Sequence, residues 1–191
     1  MSVRETIQRR VNDVAQDHDI KDYRAFGLWF LEEIEEMSAE AADDALMDGA
    51  WDAGRDAVDF NEAEGTLTIY QFKYSGNPAE VKKAFTDLQR GLQAEVKTTI
   101  DAQQIRLIVV SLSPENEELL ELMRSNEVIV VKWLETVGSR AELKLEHFDL
   151  SKFTQIFEGE PVAVPGVRRP DHFSAGGVGA NRRIPEASGA V

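Results

Sequence analysis

The sequence predicts an α/β fold: a mixed sheet flanked by helices, with a helical N-terminal extension and a flexible Gly/Pro-rich C-terminal tail. Three observations predict it. Apolar residues recur at three- and four-residue steps before residue 47, which is the period of helices. The period shortens to two between Asp56 and Tyr74, which is the period of strands. Beyond that, helix-spaced segments alternate with unbroken apolar runs of the kind that fill buried strands.

The elements follow in order. Ile7, Val11 and Val14 lie on one face of a helix over residues 4–18. Asp22 is placed to cap a second helix, in which Tyr23, Phe26, Phe30, Ile34 and Met37 repeat at helical steps. Glu32, Glu35 and Glu36 fall on its other side and read as a solvated face, with Glu33 nearer the apolar edge. A short acidic helix is expected from Ala39 to Met47. Asp56 to Phe60 alternates as a strand, residues 62–65 turn, and Thr66 to Tyr74 is the hairpin partner. Ser75 to Pro78 breaks the strand, and Val81, Phe85, Leu88 and Leu92 predict a helix from Ala79 to about Val96. Ile105 to Leu112 reads as a buried strand, Ser113 to Asn116 as a helix start, and Glu127 to Leu134 as another buried strand. Residues 141–157 leave room for one more strand and a short helix.

From Gly159 the composition changes. Four of the six prolines and six of the thirteen glycines lie there with few large apolar residues, so the expected organisation is one domain, 1–158, and a tail, 159–191. At 42% hydrophobic, the chain has material for a core. No stretch approaches the about 18 apolar residues of a membrane helix. No apolar run follows the N-terminal charges, so a cytoplasmic protein without membrane contact is expected. The absence of cysteine excludes disulfides, thiolate metal sites and thiol catalysis. His18, His147 and His172 form no ligand pair and read as surface residues. The net charge of −14 argues against a domain coated in cations for nucleic acid.

One stretch carries chemistry. Asp48-Gly-Ala-Trp51-Asp52-Ala-Gly54-Arg55-Asp56-Ala-Val is followed by Ile69-Tyr-Gln71-Phe-Lys73-Tyr-Ser75. Gln71 and Lys73 stand two apart on one strand, so their side chains leave the same face. The hairpin brings Asp56 opposite that face. A carboxylate and an amide oxygen form the hard oxygen site that suits Mg²⁺, or Mn²⁺ in its place. Lys73 is placed to orient a water or to offset charge developing on phosphate. Gly54 permits a tight turn or a close backbone approach. This set fits metal-assisted hydrolysis of a phosphodiester.

The two-part pattern, Gly-x-Asp-Ala-hydrophobic and then hydrophobic-x-Gln-x-Lys-Tyr-Ser, resembles the abortive-infection phage-resistance (AIPR) family. More broadly it resembles the restriction-endonuclease-like PD-(D/E)XK superfamily, in the Mrr-type branch where Gln replaces Glu. The resemblance is close over residues 43–75. It implies an αβββαβ core and a Mg²⁺-dependent endonuclease in bacterial anti-phage defence or restriction. It makes Asp56 the metal-binding aspartate, Gln71 the second metal residue and Lys73 the catalytic lysine. Asp52 and Gly54 match the loop before that aspartate. The resemblance also implies auxiliary residues, an acid on the first core helix, for which Glu33 is the candidate, and a glutamine after the lysine, Gln89 or Gln93. Arg55 departs from the pattern, which usually has an apolar residue there.

The expected substrate is nucleic acid, DNA ahead of RNA, with Trp51, Lys82 and Lys83 as contact candidates. Trp29 and Trp133 read as core or core-edge residues, and Asp59 as a solvated residue facing away from Asp56. The alternative is a catalytically inactive nuclease-fold module that binds nucleic acid or a partner protein. A protein partner or a homodimer is compatible with both. The charge is uneven: residues 1–64 carry 6 Lys+Arg against 18 Asp+Glu, whereas residues 65–104 carry 5 against 4. Acid is thus concentrated before and around Asp56, and the segment with Lys73, Lys82 and Lys83 is close to neutral.

Overall fold

A computed structural model describes residues 2–47, 54–114 and 116–159. Three helices come first: α1 (Val3–His18), α2 (Asp22–Glu33) and α3 (Ala39–Ala45). A hairpin of β1 (Ala57–Asn61) and β2 (Thr66–Lys73) follows. Then come α4 (Pro78–Ala94), α5 (Val96–Asp101), β3 (Gln104–Ser111), α6 (Glu117–Val137), β4 (Glu142–Phe148) and α7 (Leu150–Glu158). The chain is a mixed α/β protein. Its four strands lie in the order β1-β2-β3-β4. β1 pairs antiparallel with β2, while β2–β3 and β3–β4 are parallel. Among the described residues no helix is long and apolar enough to cross a membrane.

Local chemistry sets the helix limits. Ser2 and Glu5 close a capping box on α1. Asn77 caps α4 with Pro78 in its first turn, and Asn116 caps α6. Asp149 accepts from the Lys152 N–H at the start of α7. α2 stops four residues before Met37: Ile34 closes it, and Glu36 takes a left-handed backbone.

The strand period sorts side chains to two cores. Tyr70, Phe72, Ile108, Val110 and Phe148 face α1, α2 and α7, where Phe26, Phe30 and Phe153 pack edge-on or tilted against Phe72 and Phe148, and Trp29 packs against Phe26 and Phe153. Leu67, Ile69, Ile105, Leu107 and Val109 face α4 and α6, which supply Val81, Phe85, Leu88, Leu119, Val130 and Leu134. The sheet is therefore covered on both faces, which explains its near-continuous apolar runs.

Residues 127–134 correct the sequence expectation: they belong to α6 and not to a strand. The β-branched run Val128-Ile-Val-Val131 has strand propensity, but propensity yields to packing. Leu119, Val130 and Leu134 form one buried helical stripe, and Val128, Ile129 and Val131 point outward. The last strand lies further on, at 142–148, where Leu143, Leu145 and His147 alternate with Lys144, Glu146 and Phe148. α5 was not anticipated. The expected tail, with its paired arginines and His172, lies outside the described residues apart from Gly159, and so do Trp51 and Asp52.

Candidate active site

β1 and β2 bring Asp56 and Gln71 together across fifteen residues of sequence. The Asp56 N–H donates to the Tyr70 carbonyl at 2.9 Å and continues the antiparallel ladder to the start of β1. The carboxylate turns back onto β2. Gln71 Nε2 donates to Asp56 Oδ2 at 2.5 Å, and the Phe72 N–H donates to the same oxygen at 2.6 Å. Gln71 is 3% exposed, and its Oε1 is buried without a hydrogen-bond partner among the described residues. An unpaired buried acceptor is costly in an apolar setting.

The turn into Asp56 depends on Gly54. Its φ is +87°, and a Cβ there would stand 2.6 Å from the Asp87 carbonyl oxygen. Arg55 has a structural use: its guanidinium pairs with Glu95, and its stem lies where a Cβ on Gly91 would stand. The residue that departs from the family pattern thus ties this loop to α4.

Asp56 and Lys73 open into one cleft of about 680 Å³ at the end of β2. Lys21, Asp22 and Tyr23, around the start of α2, form the facing wall. Ser75 and Glu80 complete it, and the Ser75 hydroxyl donates to Glu80 Oε2 at 2.5 Å. Glu80, Lys21 and Tyr23 were not foreseen. Glu80 had a readable signal, an acid in the first turn of the helix that follows Lys73. The α2 residues had none, because only the tertiary fold brings them to β2.

The other candidates lie elsewhere. Glu33 pairs with Arg10 at 2.9 Å, at the far end of α2 from the cleft. Gln89 is half-buried on α4, Gln93 is exposed, and neither lines the cleft. Lys82 pairs with Glu118, and Lys83 is exposed on α4. Trp29 is buried in the core and Trp133 packs at its edge.

Two further expectations are corrected by burial. Glu35 is not on a solvated face: its side chain is 8% exposed and accepts from Arg106 at 3.2 Å and from the Tyr70 hydroxyl at 3.1 Å. Asp59 does face away from Asp56, but it is half-buried on the opposite face of the sheet. Burial pushes its pKa up, the neighbouring Glu35 adds to the effect, and Arg106 opposes it. Arg106 also pairs with Glu146.

His147 is not a surface residue. It is 7% exposed, and its Nε2 lies 2.8 Å from Ser111 Oγ, which in turn meets Ser113 Oγ at 3.0 Å. Burial lowers its pKa to about 4; Asp149 opposes that shift and Lys152 adds to it. Both serines are fully buried, so this chain of hydroxyls and a neutral imidazole braces the ends of β3 and β4. It lies across the sheet beside Lys73, whose register partner on β3 is Ser111.

Among the described residues no group of three or more His, Cys, Asp or Glu is arranged to hold a metal ion. Asp56 and Gln71 fit a sparser kind of site. Mg²⁺ is commonly held by one or two protein oxygens, with water and phosphate oxygens filling the rest of its shell. The unpaired Oε1 of Gln71 beside the Asp56 carboxylate is a donor of that type. Comparison with protein-family models, with curated proteins and with solved structures finds no match to this chain.

Proposed function

We propose that the protein is a metal-dependent nuclease of the PD-(D/E)XK type, close to the AIPR pattern, that hydrolyses phosphodiester bonds, DNA ahead of RNA. The observation that carries this reading is the hydrogen bond that joins Gln71 to Asp56, with Asp56 and Lys73 lining one cleft. The order of elements supports it. A helical segment, the antiparallel hairpin β1–β2, a helical crossover and the parallel strand β3 follow one another as that fold requires, and an isolated antiparallel bridge at Leu46 precedes β1 where its first strand would lie.

Asp56 and Gln71 would hold Mg²⁺ or Mn²⁺ through a carboxylate and an amide oxygen. When bound, the ion supplies a Lewis acid for the phosphate and lowers the pKa of a coordinated water. The Lys73 ammonium, without an ion-pair partner among the described residues, orients the attacking water or offsets charge on the phosphoryl oxygens. The Phe72 N–H holds Asp56 Oδ2 and fixes the direction of the carboxylate. Glu80 adds a third carboxylate to the cleft, within reach of water rather than locked in the sheet. The setting in anti-phage defence or restriction follows from the same resemblance, and the cytoplasmic location from the absence of an apolar run behind the N-terminal charges.

The test is cleavage of plasmid, linear DNA and RNA by the purified protein with Mg²⁺ or Mn²⁺. Activity that is lost in both Asp56→Ala and Lys73→Ala supports the reading. Activity unchanged in both overturns it, and metal binding without cleavage of any substrate favours the non-catalytic module.

A further inference from the structure

The wall of the cleft opposite Lys73 has a use that a catalytic site alone does not require. Tyr23 is 65% exposed, the most exposed large hydrophobic side chain among the described residues. It sits in the first turn of α2 and lines the same cleft as Asp56 and Lys73. Its neighbour Lys21 lines that cleft too. A core function does not explain it, because the apolar face of α2 is already filled by Phe26, Trp29 and Phe30.

An aromatic face beside ammonium groups is the arrangement that grips unpaired bases: the ring stacks a base and the cations meet the flanking phosphates. In a duplex each base already has neighbours above and below, so such a platform favours strands with free bases. The charge of the cleft adds a condition. Lys21 and Lys73 face Asp22, Asp56 and Glu80, so the cations alone do not attract a polyanion. Affinity must come from stacking and from a divalent ion bridging carboxylate and phosphate.

We infer that the cleft binds single-stranded nucleic acid, with one base stacked on Tyr23 and the adjoining phosphates running between Lys21 and Lys73 toward Asp56. The inference names the substrate form for the nuclease reading and rests on it for the direction of the strand. Its binding test stands apart from that reading.

The experiment measures fluorescence anisotropy of a labelled single-stranded oligonucleotide and of a labelled hairpin duplex, in buffer with Ca²⁺. The proteins are the full chain and the variants Tyr23→Ala, Tyr23→Phe and Lys21→Ala, with circular dichroism to confirm folding. The expected result is tighter binding of the single strand by the parent and a loss of about tenfold in Tyr23→Ala. Tyr23→Phe keeps the ring and retains binding within about threefold, and Lys21→Ala loses less than Tyr23→Ala. Equal binding by parent and Tyr23→Ala, a preference for duplex, or no single-strand binding overturns the inference. Cleavage assays with Mg²⁺ separate the two readings. Tyr23-dependent binding without hydrolysis sinks the nuclease and leaves the strand site. Hydrolysis that needs Asp56 and Lys73 but ignores Tyr23 leaves the nuclease and sinks the strand site.

Discussion

Gln71 donates through Nε2 to Oδ2 of Asp56 at 2.5 Å while its own Oε1 faces no hydrogen-bond donor among the described residues. One amide thus both orients the carboxylate and offers an oxygen. Asp56→Asn tests the first function. Its amide oxygen still accepts the Phe72 N–H, so the fold is expected to hold, with thermal unfolding close to the parent. Removing the charge removes the hard anionic donor, so calorimetric Mg²⁺ or Mn²⁺ binding and metal-dependent cleavage are expected to disappear together.

Gln71→Glu tests the second. A second carboxylate beside Asp56 creates a like-charge pair in a buried place, which costs about 1–3 kcal/mol in the absence of metal. A divalent ion relieves that repulsion. Thermal melts are therefore expected to show a lower Tm than the parent in EDTA and a larger rise on adding Mn²⁺. A variant whose Tm ignores the metal would show that no ion sits between these residues.

Gly54→Ala combines two penalties. The backbone has φ +87°, unfavourable for alanine, and the new Cβ meets the Asp87 carbonyl oxygen. A loss of about 2–4 kcal/mol in denaturant unfolding is expected, and any retained fold should show weakened metal binding because the turn positions Asp56.

His147 predicts an acid-sensitive stability. Its folded pKa of about 4 lies below the ordinary 6.5, so the unfolded chain takes up the proton first. Its contribution is complete above pH 6.5 and is lost as the pH falls toward 4, for a total of ~3 kcal/mol. His147→Gln keeps a polar side chain for Ser111 and removes the titration. Unfolding free energies of the parent and variant are expected to diverge in slope between those two pH values.

Asp59 predicts the opposite sign. Its folded pKa is raised, so the folded state holds the proton more tightly, and stability falls as the pH rises through the ordinary value of 3.8 toward the folded one. At neutral pH the charged form remains a burden next to Glu35. Asp59→Asn is expected to raise Tm at pH 7, with the advantage shrinking under acidic conditions. Equal Tm values at every pH would show that Asp59 feels neither burial nor Glu35.

Local patterns made much of this legible. The strand period carried Gln71 and Lys73 to one face and sent Asp59 to the other. Turn residues located the hairpin, and the break at Ser75 to Pro78 with the apolar spacing after it located α4 to within one residue of its start. Local reading failed where a segment's propensity opposed its packing. Val128 to Val131 looked like a strand, yet the stripe from Leu119 to Leu134 joined them to a helix. Glu35 looked solvated because helix periodicity was extended past Glu33, where the chain leaves the helix and meets Arg106.

The sequence by itself determined the α/β alternation, the two-residue spacing of Gln71 and Lys73, and the glycine on which the turn to Asp56 depends. Those are properties of neighbours, set by backbone sterics and period. Only the tertiary structure decided that the start of α2 forms the opposite wall of the cleft, that Arg55 is spent on Glu95, and that His147 is buried against Ser111. Those relationships join residues tens of positions apart, and they arise from packing two helical layers on one sheet.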